Sequence, residues 1–462
     1  MNKRLILPLC ILIGVFAQAQ STFQNGFEFS HQSQYFNPAV EPVANWQFSI
    51  PLSIYFRGGA THMKMRDLFL EGSDFGQNVD VLVNRLDGKE RIYIQSMIEA
   101  FYMGFRVKNM YFSAGAYGSI DVNLYGLSAP LKLPINGNGA YIEEPLDLSP
   151  FQAQVLNKIT YHVGMSMDAP FLEGLRLGAR LKVVEGMQHV SVERNTTTLQ
   201  TDSNTYYINI NSDFLAHTAG LEELVGPFAF KNIGFGIDLG GTYRFKDRWV
   251  FQAAITDLGF IQWKEGTKLY ENDNASFTYE GQVYDYNEGN GFDFQEVLDS
   301  LEAALLPNSR TEAYTSGMFS RVNLGATYQV TPKFTADAFL RGRLIPDHFQ
   351  PGIQLGATYA LLKRLRVRAT YMAAPGTLAN YTAGFAWNLG PMQLSLIAEN
   401  PHVVWDMASA SNAGVYFGLT FGGFKVKENG PRGLEPKKKA PKEKKAPKEK
   451  KGGLFKKKQS AG

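Results

Sequence analysis

The sequence predicts an all-β protein: a transmembrane antiparallel β-barrel of about 14 strands, with an N-terminal lumen segment and long extracellular loops. Three observations predict it. Alternating apolar and polar residues recur along most of the 462-residue chain. Beyond the first twenty residues, no run is apolar enough for a membrane helix. Tight turns are interleaved with excursions of thirty or more residues. Because successive strand residues face opposite ways, only alternate side chains of a barrel meet lipid. A mean hydropathy of −0.19 is therefore compatible with a membrane-embedded fold.

The two ends differ from the body. Lys3 and Arg4 precede an apolar run from Leu5 to Phe16 and then Ala17-Gln18-Ala19, the charged, apolar and small-residue order of a secretory signal cut after Ala19. Twelve apolar residues are too few for a retained membrane helix. The only cysteine, Cys10, lies inside that run, so the mature chain has no disulfide and no thiolate. Residues 431–462 hold thirteen Lys or Arg against three Glu, whereas the body between signal and tail is acidic. The expected organisation is 1–19 signal peptide, 20–44 hatch-like segment, 45–423 barrel and 424–462 disordered Lys-rich periplasmic tail.

The first strand reads from Trp46 to Arg57, with large apolar residues at every even position and Pro51 on the polar face. An excursion over 58–90 follows, with a short helix around Val79 to Leu86. Residues 91–107 and 110–123 read as strands about a Lys108-Asn109 turn. Residues 159–168 and 175–183 pair around APFLEG, and 233–245 pairs with 249–263 across Lys246-Asp247-Arg248. The excursion over 264–316 carries a capped amphipathic helix at 293–306, read either as a loop helix packed over the barrel mouth or as a lid or partner-docking element. The remaining strands are 322–330, 334–344, 353–361, 365–371, 381–389, 392–398 and 413–421. Six tight turns, near 108, 171, 247, 332, 363 and 390, require fourteen strands when both ends are periplasmic. Thr205 to Leu215 also alternates; a membrane crossing there moves the count toward sixteen. Trp46, Trp249, Trp263 and Trp387 read as interfacial girdle residues.

Four stretches carry a family resemblance: Asn37-Pro38-Ala39 before an aromatic strand, INGNGAYI (135–142), GIDLGGTYRF (236–245) and ITDLGFIQWK (255–264). Over about residues 25–423 the chain resembles a Bacteroidota outer-membrane barrel family known only as a domain of unknown function. That family is similar in architecture, distantly, to the long-chain fatty-acid channel and the type IX secretion barrels. The resemblance implies an outer-membrane location in a Gram-negative bacterium, and a segment before the first strand folded into the lumen. It supplies no substrate or functional residue.

Inward parity assigns Arg176, Arg180, Lys182, Asp238, Arg244, Asp257, Asp337, Arg341, Arg343, Arg366 and Arg368 to the lumen. They either line a pathway for an anionic or amphipathic solute or fill the interior as ion pairs; Arg366 and Arg368 follow a turn, where carboxylates of neighbouring strands are candidate partners. The seven histidines have no metal-site spacing, and no cofactor is expected. His162 and Ser166 share a face but lie roughly 13 Å apart, beyond the reach of a nucleophile–base pair. The chain therefore does not read as an enzyme. In the tail, Lys437, Lys438, Lys439, Lys442, Lys444, Lys445, Lys448, Lys450 and Lys451 form a polyanion-binding candidate broken by prolines. Its expected partners are peptidoglycan or an acidic periplasmic protein, not nucleic acid. The barrel itself partners the lipid bilayer and possible envelope-complex subunits. Two functions stay open: a channel or transporter for small hydrophobic or amphipathic molecules, and a non-transporting structural or assembly subunit of an envelope or secretion machine.

Overall fold

The structure is a computed structural model. It describes residues 27, 29–51, 53–67, 75–86, 88–221, 227–280, 309–346, 348–374 and 377–424. The signal peptide, the 293–306 helix and the disordered Lys-rich tail expected from the sequence fall outside the described residues.

Alternation turns into paired strands over nearly all of this chain. In order they are β1 Ala44–Ser49, β2 Ser53–Ala60, β3 Arg91–Val107, β4 Met110–Tyr125, β5 Leu146–Asp147, β6 Gln152–Asp168 and β7 Leu175–Asn195. Then come β8 Thr198–Thr201, β9 Ile208–Ala219, β10 Ile233–Phe245, β11 Trp249–Trp263, β12 Thr267–Tyr279, β13 Ser309–Arg310 and β14 Tyr314–Gly317. The last are β15 Arg321–Thr331, β16 Phe334–Ile345, β17 His348–Leu362, β18 Leu365–Ala374, β19 Thr377–Leu389, β20 Met392–Glu399 and β21 Asn412–Phe424. Each wall strand pairs antiparallel with its neighbours, and β21 closes the ring against β1 and β2. Counting β1 with β2 as one interrupted stave, the closed wall has 14 strands. Closure leaves no unpaired edge for the membrane to cover.

The first stave is not continuous. Pro51 has no N–H to give the ladder, and pairing stops at Ser49 and resumes at Ser53. The Ser49 and Ser53 hydroxyls lie 3.2 Å apart across the break. Pro51 is exposed there, not on the inner face that strict alternation assigns to it.

Residues 205–215 do not add a wall strand. β9 pairs with the upper part of β7 and with β12, forming a rim raised above the level where β7 pairs with β10. β7 consequently runs 21 residues, well past the predicted end at Val183. Above the lipid the outward face no longer has to be apolar, so alternation fades while backbone pairing continues. Trp263 belongs to this rim's interior: it is fully buried, stacks on His189 at 5.1 Å and donates its Nε1–H to Ser316. It is not a girdle residue, unlike Trp46, Trp249 and Trp387, which are exposed on the outer wall. Helix α1, Phe75–Arg85, occupies the first excursion where a helix was expected, and α2, Ser128–Asn136, lies in the next. No described helix is long and apolar enough to cross a membrane.

Candidate functional site

The lumen is filled from the N-terminal side. Residues 30–40 are buried throughout, with a short helical turn at His31–Tyr35. Their polar groups find partners on many staves. His31 Nε2 lies 3.0 Å from a Glu99 carboxylate oxygen, which also accepts a 2.7 Å bond from the Tyr35 hydroxyl. The Tyr102 hydroxyl donates to Gln34, and its ring stacks on His31. Gln393 donates to the Phe29 carbonyl and Asn323 to that of Phe36.

The Asn-Pro-Ala motif has a specific seat. Asn37 accepts the Ala39 N–H and donates to the Gly241 carbonyl. Gly178 and Gly240 are cross-strand neighbours and together form a notch in the wall. A Cβ on Gly178 would fall 2.4 Å from Pro38 and Ala39 backbone atoms, and one on Gly240 would fall 2.1 Å from Asn37 Oδ1. Glycine is present at this pair because the hatch backbone occupies the space of a side chain.

The carboxylates and cations beside the hatch arise from broken alternation. Asp257 has φ +57, and the β10–β11 register shifts there. The bulge changes which face successive β11 residues present and brings Asp257 into a buried cluster. Lys182 Nζ lies 2.6 Å from Asp238 and 2.7 Å from Asp257; Arg321 lies 3.3 Å and Lys158 3.9 Å from Asp257. Arg180 pairs with Asp238 at 3.5 Å and covers the Tyr35 ring. Burial of this many charges is tolerable only because each is paired.

The other assigned lumen residues separate by height. Asp337 and Arg368 form a two-pronged buried pair at 2.5 and 2.8 Å. Arg176 binds Asp168 at the turn end of the barrel. Arg366, also there, does not pair with a carboxylate among the described residues; it donates to the Leu362 carbonyl and lies over Phe29. Arg244 sits half-buried near the turn. Arg341 and Arg343 stand at the opposite, loop end.

That loop end holds a cleft of about 280 Å³, whose lining includes Arg57, Arg91, Arg321, Arg341 and Arg343 and, among the described residues, no Asp or Glu. Arg341 lies 5.2 Å over the Phe36 ring, so the cleft rests on the hatch. Arg343 pairs with Asp121 on the far side of the lumen. Arg57 pairs with Glu399 at 3.2 Å, and Glu399 also accepts from Tyr55.

Sequence reasoning missed Glu99, Asp121, Lys158, Arg57, Arg91 and Arg321. Glu99 had a legible signal. It shares parity with Phe101, Met103 and Phe105, which face outward, and a carboxylate on a lipid face is costly. The register shift between Glu99 and Phe101 turns it inward, where it is fully buried. Among the described residues, no His, Cys, Asp and Glu group could hold a metal ion.

Closed wall, polar interior and internal hatch define a plugged β-barrel of the outer-membrane type. The chain belongs to the family of unknown function DUF5723, whose model matches residues 38–399. Similar solved structures include the toluene transporter TodX of Pseudomonas putida, with 12% identity, 85% of this chain and 94% of that one covered, and a TM-score of 0.43. The toluene transporter TbuX of Ralstonia pickettii gives 11%, 88%, 96% and 0.44. A FadL homologue of Pseudomonas aeruginosa gives 10%, 89%, 100% and 0.43. No curated protein matches the sequence.

Proposed function

We propose that the protein is a non-enzymatic outer-membrane channel or transporter for small hydrophobic or amphipathic molecules, with residues 27–43 as its gate. The observation that carries this reading is the way the lumen is blocked. The obstruction is a peptide segment held by hydrogen bonds and ring contacts, and an open cleft lies directly above it. A segment held by separable contacts can shift without breaking the wall, whereas a lumen filled by wall side chains alone cannot open in that way. The loop end would face the medium and the turn end the periplasm, where the Lys-rich tail would meet peptidoglycan or an acidic partner.

The test is uptake into liposomes of a fluorescent amphipathic probe by the purified full chain. The expected result is protein-dependent, saturable flux. Flux no greater than in empty liposomes would overturn the reading.

A second reading, a structural or assembly subunit, is favoured by the density of hatch anchors and buried ion pairs. Affinity purification from native membranes in mild detergent separates the two. Stoichiometric envelope machinery together with absent flux supports the subunit; flux from the isolated chain supports the channel.

A further inference from the structure

We propose that the loop-end cleft is a binding site for a phosphate-class oxyanion, either a free phosphate monoester or a phosphate borne on a lipid. The inference does not depend on transport, because a scaffold could carry the same site.

Among the described residues, the cleft's lining gathers five arginines and no carboxylate. Arg91 stands within electrostatic reach of Arg343, and Arg341 within reach of Arg57 and Arg321. Like charges placed together in a protein interior repel strongly unless a counter-charge joins them. Three carboxylates that approach these arginines are already engaged: Glu399 by Arg57 and Tyr55, Asp121 by Arg343 and Gln95, Asp257 by Lys182 and Arg321. Arg341 has only Asn323 Oδ1 at 3.2 Å and the Met372 sulfur at 3.9 Å as bonding partners among the described residues. Arg91 Nε and Arg343 Nε and Nη1 are buried without a hydrogen-bond acceptor among those residues.

The guanidinium groups are also held in place. Arg91 lies over the Tyr93 and Tyr125 rings at 4.8 and 5.7 Å, Arg343 over Phe319 at 5.5 Å and Arg341 over Phe36 at 5.2 Å. Stacked guanidinium forks are pre-oriented donors for oxyanions. A carboxylate offers its acceptor sites in one plane, where a single fork engages both oxygens. Here forks converge from β3 and from β16, on different sides of the lumen. A tetrahedral dianion offers oxygens in several directions and matches that arrangement. The volume exceeds that of a bare phosphate, and the stacked Tyr125–His348 pair, with centroids 4.1 Å apart, gives a flat wall for an attached organic group.

The experiment uses the full chain in nanodiscs, titrated calorimetrically with inorganic phosphate, glycerol 3-phosphate and hexanoate. A parallel arm incorporates phosphatidic acid into the disc and measures competition with glycerol 3-phosphate. The expected result is saturable phosphate binding, weakened at least tenfold by Arg341→Gln and by Arg343→Gln. Arg341→Gln breaks no carboxylate pair among the described residues, so it is the variant to rely on should Arg343→Gln disturb assembly. Competition by phosphatidic acid that is lost in Arg341→Gln assigns the source as a lipid headgroup; binding of the free ester without such competition assigns a soluble one. No saturable binding of any phosphate form, affinity unchanged in Arg341→Gln, or hexanoate binding as tight as phosphate would each overturn the proposal. Flux without phosphate binding removes this site and leaves the channel; binding without flux does the reverse.

Discussion

At the scale of single residues, the hatch is positioned by what the wall lacks. Gly178 and Gly240 leave room for Asn37, Pro38 and Ala39, and the carbonyl of Gly241 accepts the Asn37 amide. A side chain in that notch must expel the hatch backbone or strain it, and overpacking of this kind typically costs about 1–3 kcal/mol. Gly178→Val is therefore expected to displace the hatch while leaving the barrel ladder intact. The measurement is limited proteolysis beside heat-modifiable electrophoretic mobility. Faster cleavage within residues 27–43 with an unchanged barrel band is the expected outcome; a hatch as resistant as in the unsubstituted protein would show that the notch does not seat it. Gly241, one residue along, offers a control, since a Cβ there meets only Leu177 Cδ2 at 3.6 Å and a backbone oxygen at 3.9 Å.

At the scale of elements, regular alternation was enough to place strands where one face meets lipid and the other the lumen. Ile233–Phe245 and Trp249–Trp263 begin and end at the residues their pattern predicts. Legibility failed for two physical reasons. Above the membrane, β7, β9 and β12 keep their hydrogen bonds without an apolar outer face, so the pattern says little about them. At bulges the parity reverses, which is why Glu99 was missed and why Pro51 and Trp263 were given the wrong faces. Asp257 has the assigned inward position only because its positive φ shifts the register. The seam between β1 and β21 is the longest-range consequence of the fold, joining residues some 370 positions apart in the chain. Phe48 and Phe421 are directly paired across it and both lie on the outer wall's parity. Cross-strand Cα atoms about 4.5–5.5 Å apart can be bridged by a disulfide. Because Cys10 is the sequence's single cysteine, Phe48→Cys with Phe421→Cys in a Cys10→Ser background provides an unambiguous pair. Mild oxidation is expected to form one intramolecular crosslink without altering barrel mobility on gels. A double variant that stays reduced, or crosslinks only between molecules, would contradict closure at this seam.

At the scale of the whole molecule, wall and hatch have separable roles. The wall's stability comes from a continuous ladder that closes on itself, and the hatch enters none of its strand pairs. The hatch instead contributes Phe27, Tyr35 and Phe36 to the interior and completes the partners of Glu99. Removing it leaves Glu99 without His31 and Tyr35, but in a lumen that water can then enter, so the carboxylate is solvated instead of stranded. A barrel of fourteen strands lies between those just filled by side chains, at about eight, and the sixteen- to eighteen-stranded porins with aqueous channels. Without a hatch it should therefore conduct. Deletion of residues 27–40 is expected to convert a protein silent in planar bilayers into one giving discrete ion-conducting steps, with heat-modifiable mobility retained. An assembled variant that remains silent would mean that the buried charges around Asp257 close the lumen by themselves. That result would place the obstruction in the wall and leave the hatch as packing, the arrangement expected of a scaffold and not of a gate.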